Sequence, residues 1–235
     1  MMVSELLFGE TVELIARVGD RWQVRAHLDG YEGFVGADAL AEPGAATTHR
    51  ISVRATLRFP RADIKGTPVM RLPLGAQVSV DSKIEPNDEG LVPIRGGGFV
   101  HRDHLALVTG RESFTLAEAA CRFYQDAPYL WGGRTPDGCD CSGLVQSVAG
   151  LIGRALPRDS GPQEAAIAQT VSGPVRQPDD LVFWPGHVAI VLPDQAVIHA
   201  NAHTLSVAIE PLSHVIERAG APSSFKRLPP VGPAR

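Results

Sequence analysis

The sequence contains few cysteines and no long apolar segment at its start, and both shortages limit what the chain can be. Three cysteines among 235 residues are too few, and odd in number, for a disulfide-stapled scaffold. The first ten residues, MMVSELLFGE, include no basic residue, and their apolar run extends only from Leu6 to Phe8. They resemble neither a secretory signal nor a membrane span, so we expect a cytoplasmic protein.

An excess of basic charge is also missing. The formal net charge is −4, with 22 Lys and Arg against 26 Asp and Glu, so nothing in the composition attracts nucleic acid or an anionic membrane. We therefore expect neither of them as a partner. Turn-forming residues are plentiful, with 24 glycines and 19 prolines, and this indicates a β-rich chain. Hydrophobic residues make up 44%, which is enough for a packed core.

The first hundred residues have the pattern of short antiparallel strands, with turn residues between alternating apolar runs. The pattern recurs: PLGAQVSV (73–80) is similar to LFGETVEL (7–14), and GGFVHRDHL (97–105) is similar to EGFVGADAL (32–40). Such a repeat predicts two tandem β modules. We place them at residues 1–42 and 50–108, with EPGAATTHR as the linker.

After residue 110 the pattern becomes helical. Thr115 and Glu118 have the spacing of a capping box, and the helix behind them should end before Pro128. A second helix is predicted from about Ser142 to Gly153, and SGPQEAAIAQT suits a short third helix.

From Asp180 onward, apolar segments alternate in the manner of an antiparallel meander: LVFW, HVAIVL, AVIHA, LSVAIEPL and FKRL. Helices followed by a meander indicate an α+β domain, in which helices pack on an antiparallel sheet. We assign this domain to residues 112–230.

Cys141 begins the second predicted helix, within GCDCSGLVQ. The first turn of a helix offers unpaired N–H groups and the positive end of the dipole, and both favour a thiolate. The same groups can bind the oxyanion that forms when sulfur attacks a carbonyl, and Gly143 leaves room for a substrate near the backbone. We interpret Cys121 and Cys139 as buried thiols, with a redox role for Cys139 as the alternative.

A thiol nucleophile requires a base, and two of the eight histidines are suitably spaced. His187 and His199 lie on successive predicted strands, and a hairpin that turns symmetrically about Pro193 puts them opposite each other on one face. His187 would take the thiol proton and His199 would hold its ring. The alternative is that both only cap strand ends. His101 and His104, in HRDH, form a weak candidate for metal binding, and we predict no metal site.

Four segments in order, YLWGG, GCDCSGLVQ, GHVAIV and VIHA, together resemble the NlpC/p60 family of papain-like cysteine peptidases. The likeness covers residues 113–228. Residues 4–108 resemble the bacterial SH3-like domains that precede such domains in dipeptidyl-peptidases of the YkfC type. The resemblance implies two small SH3-like β-barrels ahead of a papain-like catalytic domain. It also implies cleavage of the γ-D-glutamyl–diamino acid bond in peptidoglycan stem peptides, without a cofactor.

The resemblance further implies a set of site residues. The catalytic residues are Cys141, His187 and His199. The substrate-binding residues in the catalytic domain are Tyr129, Trp131, Asp140, Ser142, Asp159 and Ser160. Two residues of the first β module, Glu10 and Tyr31, would close one end of the cleft.

Among these residues, the resemblance implies that Asp140 binds the free amine of L-Ala, and that Ser142 and the Asp159–Ser160 pair bind the D-Glu carboxylate. Asp140 is also a preferred N-cap residue, and the two roles are compatible. Tyr129 and Trp131 would line the cleft, with plain core packing as the alternative. The chain has Asp179 where the family usually has glycine.

The predicted function is that of a cytoplasmic cysteine peptidase that acts on peptidoglycan-derived peptides with a free N-terminal L-Ala, in muropeptide recycling. A cleft closed by carboxylates would exclude longer or blocked peptides. Three alternatives remain. One is an exported DL-endopeptidase acting on intact cell wall, one is a non-catalytic wall-peptide binding protein, and one is an acyltransferase or amidase with the same acyl-enzyme chemistry.

Overall fold

The computed structural model describes residues 1–81, 83–173 and 176–229, and the chain divides into two compact units. One, here called the β unit, spans Leu6–Gly110; the other, called the mixed unit, combines Met1–Glu5 with the chain from Arg111 onward. The predicted first module began at residue 1, whereas Glu5 belongs to the mixed unit, where its carboxylate accepts the Arg134 N–H. The predicted domain end at residue 230 lies outside the described residues.

The β unit is built from short strands and single 3-10 turns. Its strands are β1 Val12–Val18, β2 Arg21–Ala26, β3 Glu32–Gly36, β4 His49–Ile51, β5 Ala55–Arg58, β6 Met70–Pro73, β7 Gln77–Val78, β8 Leu91–Pro93, β9 Phe99–His101 and β10 Leu105–Leu107. The first three form one antiparallel sheet in chain order, as the hairpin spacing predicted.

The remaining strands of the β unit form three small sheets, in the orders β10-β4-β7, β5-β6 and β8-β9. They enclose an apolar cluster: Ile51, Leu72, Ala76, Val78, Val92, Ile94 and Val100. The predicted repeat is visible in the backbone at two places. Gly9 and Gly75 have φ of +83° and +86°, which side chains with a Cβ disfavour. A 3-10 turn follows β3 and another follows β9, at Ala37–Ala39 and Arg102–His104.

The mixed unit contains helices and strands in an α+β order. Its elements are α1 Leu116–Tyr124, β11 Arg134–Thr135, β12 Gly138–Cys139, α2 Cys141–Leu151, α3 Ser160–Ala166, β13 Leu181–Trp184, β14 His187–Val191, β15 Ala196–Asn201, β16 Ser206–Pro211, α4 Leu212–Ala219 and β17 Ser224–Lys226. Five strands form one antiparallel sheet in the order β16-β15-β14-β13-β17. The helix α2 contacts α1, β14 and β15, so helices pack on the sheet as predicted.

The longest described helix has eleven residues. None of the described helices combines the length and the apolar character of a bilayer-spanning segment.

Two details of the mixed unit differ from the sequence analysis. The last strand does not extend the meander, because β17 returns to pair with β13 at the opposite side from β14. The helix α4 was not predicted, although Leu212 and Val215 are buried and contribute to the apolar cluster of the sheet. Both elements lie after β16, where short segments offer little periodicity.

The start of α1 is held by hydrogen bonds from two directions. The predicted capping box is present, since the Thr115 hydroxyl accepts the Glu118 N–H and the Glu118 carboxylate accepts the Thr115 N–H. The Asp179 carboxylate also accepts the Ala117 N–H at 2.8 Å. Asp179 has φ of +74°, a conformation that accounts for glycine at this position in the family.

Replacing the capping hydroxyl tests how much this helix start contributes. Thr115→Ala should lower the unfolding free energy of the mixed unit by about 1 kcal/mol, because the Glu118 N–H loses its acceptor. Urea denaturation, combined with hydrogen exchange at the first turn of α1, measures the change. Thr115→Ser keeps the hydroxyl and should match the wild type, so equal losses for the two variants would contradict the capping role.

Candidate active site

Cys141 is the first residue of α2, and its side chain is largely buried. The backbone N–H groups of Ser142 and Val188 lie close enough to the sulfur to lower the pKa of the thiol. Because Val188 follows His187 on β14, the start of the helix lies against the start of the strand that carries the predicted base. The structure thus places Cys141 close to the strand that begins at His187, the predicted base.

Burial dominates the pKa of the Cys141 thiol. Together with the neighbouring Asp140 carboxylate it raises this pKa to about 11, while the two N–H donors act in the opposite direction. The expectation of a standing thiolate is therefore wrong for this structure, in which the sulfur keeps its proton at neutral pH. A base has to remove that proton as the sulfur attacks.

Gly143 also has a different role from the one expected. A Cβ at this position would lie 2.1 Å from the carbonyl oxygen of Gly133. The missing side chain therefore makes room for a neighbouring loop of the protein, and the expectation that it makes room for substrate is wrong.

The two predicted histidines are in direct contact, since Nε2 of His187 and Nδ1 of His199 are 2.7 Å apart. They are not directly opposed, because β14 and β15 pair in a register centred on Asp194 and not on Pro193. His199 is therefore expected opposite Ala189, and the histidines are diagonal neighbours. A displacement of two residues keeps both side chains on one face of the sheet.

His199 also contacts the carboxylate of Glu210 on β16, a residue that the sequence analysis missed. The His199 side chain is 1% exposed, and its Nε2 is 2.8 Å from Oε1 of Glu210. Arg218 on α4 donates hydrogen bonds to both oxygens of Glu210, at 2.8 and 2.9 Å. The strand register could have revealed Glu210. This residue lies two positions beyond Ala208, the strand partner of His199, and therefore on the same face of the sheet as His199. Arg218 lies on the helix that was not predicted.

The pKa values of these groups are set mainly by burial and by Arg218. Burial lowers the pKa of His187 to about 4, with His199 and Arg218 acting in the same direction and Glu210 against them. Burial also lowers the pKa of His199. The hydrogen bonds from Arg218 hold the pKa of Glu210 at about 2. At neutral pH the site therefore contains a neutral thiol, two neutral imidazoles and an ionised carboxylate.

Asp140 caps α2 and forms a buried ion pair. Its carboxylate accepts the Gly143 N–H at 2.7 Å and the Gly132 N–H at 2.8 Å. Arg158, whose side chain is 1% exposed, donates to the two carboxylate oxygens at 2.9 and 2.6 Å. The N-cap interpretation is confirmed, and the proposed contact with a substrate amine stays a prediction.

Arg158 is a second residue that sequence reasoning missed, although it directly precedes the predicted pair Asp159 and Ser160. It also donates to the hydroxyls of Ser142 and Ser4, both at 3.1 Å, and to the Gly133 carbonyl at 3.3 Å. The Ser142 hydroxyl therefore belongs to this buried network. The partner acid lies 18 residues earlier, a separation that no local pattern reveals.

The other predicted residues of the mixed unit have varied environments. Burial raises the pKa of the Tyr129 phenol, and Cys141 and Asp140 act in the same direction, so this phenol lies near the nucleophile. Trp131 is 60% exposed. The core-packing alternative is therefore excluded for Trp131, while its contact with substrate stays a prediction.

The third helix begins at the predicted pair Asp159 and Ser160. Asp159 is its exposed N-cap residue and makes no side-chain capping hydrogen bond, while Ser160 is buried. Gln163, which was also missed, donates to the carbonyls of Ser142 and Pro157 at 2.9 and 2.8 Å. It thereby ties α3 to the first turn of α2.

Glu10 and Tyr31 lie in the β unit. The Glu10 carboxylate accepts the Leu7 N–H at 2.9 Å, and the Tyr31 N–H donates to the Asp29 carboxylate at 3.0 Å. Both contacts are within turns of the β unit, and the roles of Glu10 and Tyr31 toward substrate stay predictions.

Two models of known families match parts of the chain. The NlpC/P60 family model matches residues 126–218, and the bacterial dipeptidyl-peptidase SH3 domain model matches residues 1–40. Dipeptidyl-peptidase 6 of Lysinibacillus sphaericus is 28% identical in an alignment of 217 positions that covers 85% of this chain and 80% of that protein. A gamma-D-glutamyl-L-lysine dipeptidyl-peptidase of Bacillus cereus is 26% identical in an alignment of 250 positions, gaps included, that covers 93% of this chain and 74% of that protein.

Among solved structures, an NlpC/P60 family protein from Bacillus cereus has a TM-score of 0.81 at 20% sequence identity, and the match covers 96% of this chain and 81% of that one. At this identity the match shows the fold. The predicted nucleophile and both histidines lie within the part that the family model matches. The chain is therefore a cysteine peptidase whose residues 126–218 belong to the NlpC/P60 family, preceded by a bacterial dipeptidyl-peptidase SH3 domain.

Proposed function

We propose that the chain hydrolyses the γ-D-glutamyl–diamino acid bond of peptidoglycan stem peptides with a free N-terminal L-Ala. The observation that carries this proposal is the contact of the start of α2 with the start of β14, which brings Cys141 beside His187, itself held by His199. The name of the Bacillus cereus relative, gamma-D-glutamyl-L-lysine dipeptidyl-peptidase, supports the substrate class. Muropeptide recycling in the cytoplasm is part of the proposal.

In this reaction the transfer of the thiol proton and the formation of the sulfur–carbon bond occur together. As the Cys141 sulfur attacks the γ-carbonyl carbon of D-Glu, Nδ1 of His187 takes the thiol proton, because a thiol with a pKa of about 11 is not ionised beforehand. The backbone N–H of Cys141, at the first turn of α2, is suited to stabilise the oxyanion.

The second half of the reaction returns the enzyme to its starting state. His187 gives the proton to the leaving amine of the diamino acid, and a thioester remains between Cys141 and D-Glu. A water molecule, deprotonated by His187, then attacks this thioester. Dipeptide is released and the thiol regains its proton.

Recognition of the alanine amine is assigned to carboxylates. The Asp140 carboxylate already accepts four hydrogen bonds at 2.6–2.9 Å, two of them from Arg158, so little acceptor capacity remains for a substrate amine. We therefore propose that Glu10, with Tyr31, contributes the larger share of amine recognition. Ser142 and the Asp159–Ser160 pair are proposed for the D-Glu carboxylate.

Two finer features of the fold are part of the proposal. We propose that residues 50–108 form a second SH3-like module, which the matching positive φ values of Gly9 and Gly75 support. We also propose a papain-like arrangement for the mixed unit, supported by a thiol at a helix start that packs on an antiparallel sheet.

The first prediction concerns the nucleophile. Purified protein should release L-Ala-γ-D-Glu from L-Ala-γ-D-Glu-meso-diaminopimelate, and Cys141→Ala should lower the rate by more than about 10³-fold, because the acyl-enzyme cannot form. Mass spectrometry of the dipeptide measures release. Cys121→Ala, a thiol change on α1, serves as the control and should act like wild type. Absence of release by the wild type, or equal release by Cys141→Ala, rejects the function.

A second prediction concerns the free amine. Acetylating the alanine of the tripeptide should lower kcat/KM by about 10²-fold, because the resulting amide lacks the positive charge that pairs with a carboxylate of the enzyme. Glu10→Gln should reduce this discrimination, whereas Glu13→Gln, an exposed carboxylate on β1, should leave it unchanged. Equal cleavage of free and acetylated peptide contradicts the specificity, and dipeptide release from whole sacculi supports the exported alternative.

The pH profile of the tripeptide reaction follows from the base. His187 accepts a proton only when neutral, and its lowered pKa of about 4 keeps it neutral above that pH. Accordingly kcat/KM should rise as pH increases through about 4 and should already be level at pH 6. Circular dichroism at each pH separates this limb from acid unfolding. An acid limb near pH 6.5, the ordinary histidine value, would show that burial does not control His187.

A further inference from the structure

We infer that Glu210, clamped by Arg218, is a positioning residue that sets the direction of the hydrogen bonds through His199 to His187. This inference deepens the proposed function and rests on it for its kinetic consequence. Glu210 touches neither the sulfur nor the substrate in this assignment. It acts through His199, by deciding which ring nitrogen of His187 is left to accept the thiol proton.

The direction of these hydrogen bonds is set at the Glu210 carboxylate. Arg218 can only donate hydrogen bonds, and it donates to both oxygens of Glu210. An ionised carboxylate can only accept, so the hydrogen in the 2.8 Å contact with Nε2 of His199 must belong to the histidine. A neutral imidazole carries one N–H. Nδ1 of His199 is therefore an acceptor.

The same argument then applies to the ring of His187. Nε2 of His187 lies 2.7 Å from that acceptor, so it must be the donor. The single hydrogen of the neutral ring is then on Nε2, and Nδ1 keeps a lone pair. Among the described residues Nδ1 makes no hydrogen bond. It is the nitrogen that can receive the proton from sulfur.

The two histidines alone do not fix this direction. If both rings held the opposite tautomer, the 2.7 Å contact would be equally satisfied, but Nδ1 of His187 would carry a hydrogen and could accept nothing. The Glu210 carboxylate excludes that alternative, because it requires a hydrogen on Nε2 of His199. Because His199 is 1% exposed, water has little access to replace this acceptor.

The charged and titratable groups around Glu210 come from three elements. They are His199 on β15, Arg218 on α4 and, one ring further, His187 on β14. Arg218 lowers the pKa of Glu210 to about 2, below the value of about 4 for His187. Glu210 thus remains an acceptor throughout the pH range in which His187 is a base.

The sharpest test exchanges the Glu210 carboxylate for an amide, once with Arg218 present and once with Arg218 replaced. In Glu210→Gln the amide oxygen should turn to Arg218, and the NH2 group should then face Nε2 of His199 and reverse both tautomers. We expect kcat on the tripeptide to fall by about 10²-fold, the usual contribution of a general base, with KM within about twofold. In Glu210→Gln/Arg218→Met the amide oxygen is free to face His199. The second substitution should restore kcat by roughly tenfold, whereas two independent defects would lower kcat further.

Nitrogen-15 NMR of histidine-labelled protein gives a readout that needs no substrate. His187, assigned from its loss in His187→Gln, should be protonated at Nε2 in the wild type, at Nδ1 in Glu210→Gln, and again at Nε2 in the double variant. Glu210→Asp keeps a carboxylate and should keep the wild-type tautomer. Glu217→Gln removes an exposed carboxylate beside Arg218 and should change neither kcat nor the tautomer.

Two results overturn the inference. One is His187 protonated at Nε2 in a folded Glu210→Gln variant with wild-type kcat, and the other is a double variant as slow as the single one. Failure of the wild type to cleave the tripeptide rejects the proposed function alone, because the NMR tautomers still decide the role of Glu210.

Discussion

The catalytic arrangement depends on the packing of the start of α2 against the start of β14, which puts the Cys141 sulfur beside the backbone N–H of Val188. Both ends of this contact are fixed by secondary structure, so neither a flexible loop nor a long side chain separates nucleophile from base. The sheet then carries His187, His199 and Glu210 on three adjacent strands. Each hydrogen bond of the series therefore crosses from one strand to the next.

Burial shapes the electrostatics around this contact. It keeps the thiol and both imidazoles neutral, while the charges nearby occur as ion pairs. Asp140 beside the nucleophile is paired with Arg158, and Glu210 at the end of the series is paired with Arg218. A lone carboxylate next to the sulfur would oppose formation of the anion that attacks the substrate. The ion pairs limit that opposition while the carboxylates keep their hydrogen-bonding roles.

The sequence predicts local features of this structure well. The capping box at Thr115, the helix start at Cys141 and the strand segments all follow from patterns within a few residues, because short-range hydrogen bonds and periodicity determine them. The register of His199 was predicted wrongly by two residues, since it depends on the positive φ values of Asp194 and Gln195 in the turn. Arg158 and Glu210 were missed because their partners are set by chain folding and not by spacing.

The family resemblance added what spacing alone left open, namely the substrate class and the residues of the β unit. The structure corrects two expectations that were drawn from the helix start itself. Gly143 makes room for a loop of the protein, and the thiol is protonated before attack. In each case the local environment, and not the motif, decides the property.

The attachment of Met1–Glu5 to the mixed unit has a consequence for synthesis. Ser4 contacts Arg158 across 154 residues, and Glu5 contacts Arg134 across 129 residues. During synthesis, Met1–Glu5 must wait until the residues up to Arg158 have been made before its partners exist. The buried network beside the nucleophile is consequently completed late, after the intervening β unit has had time to fold.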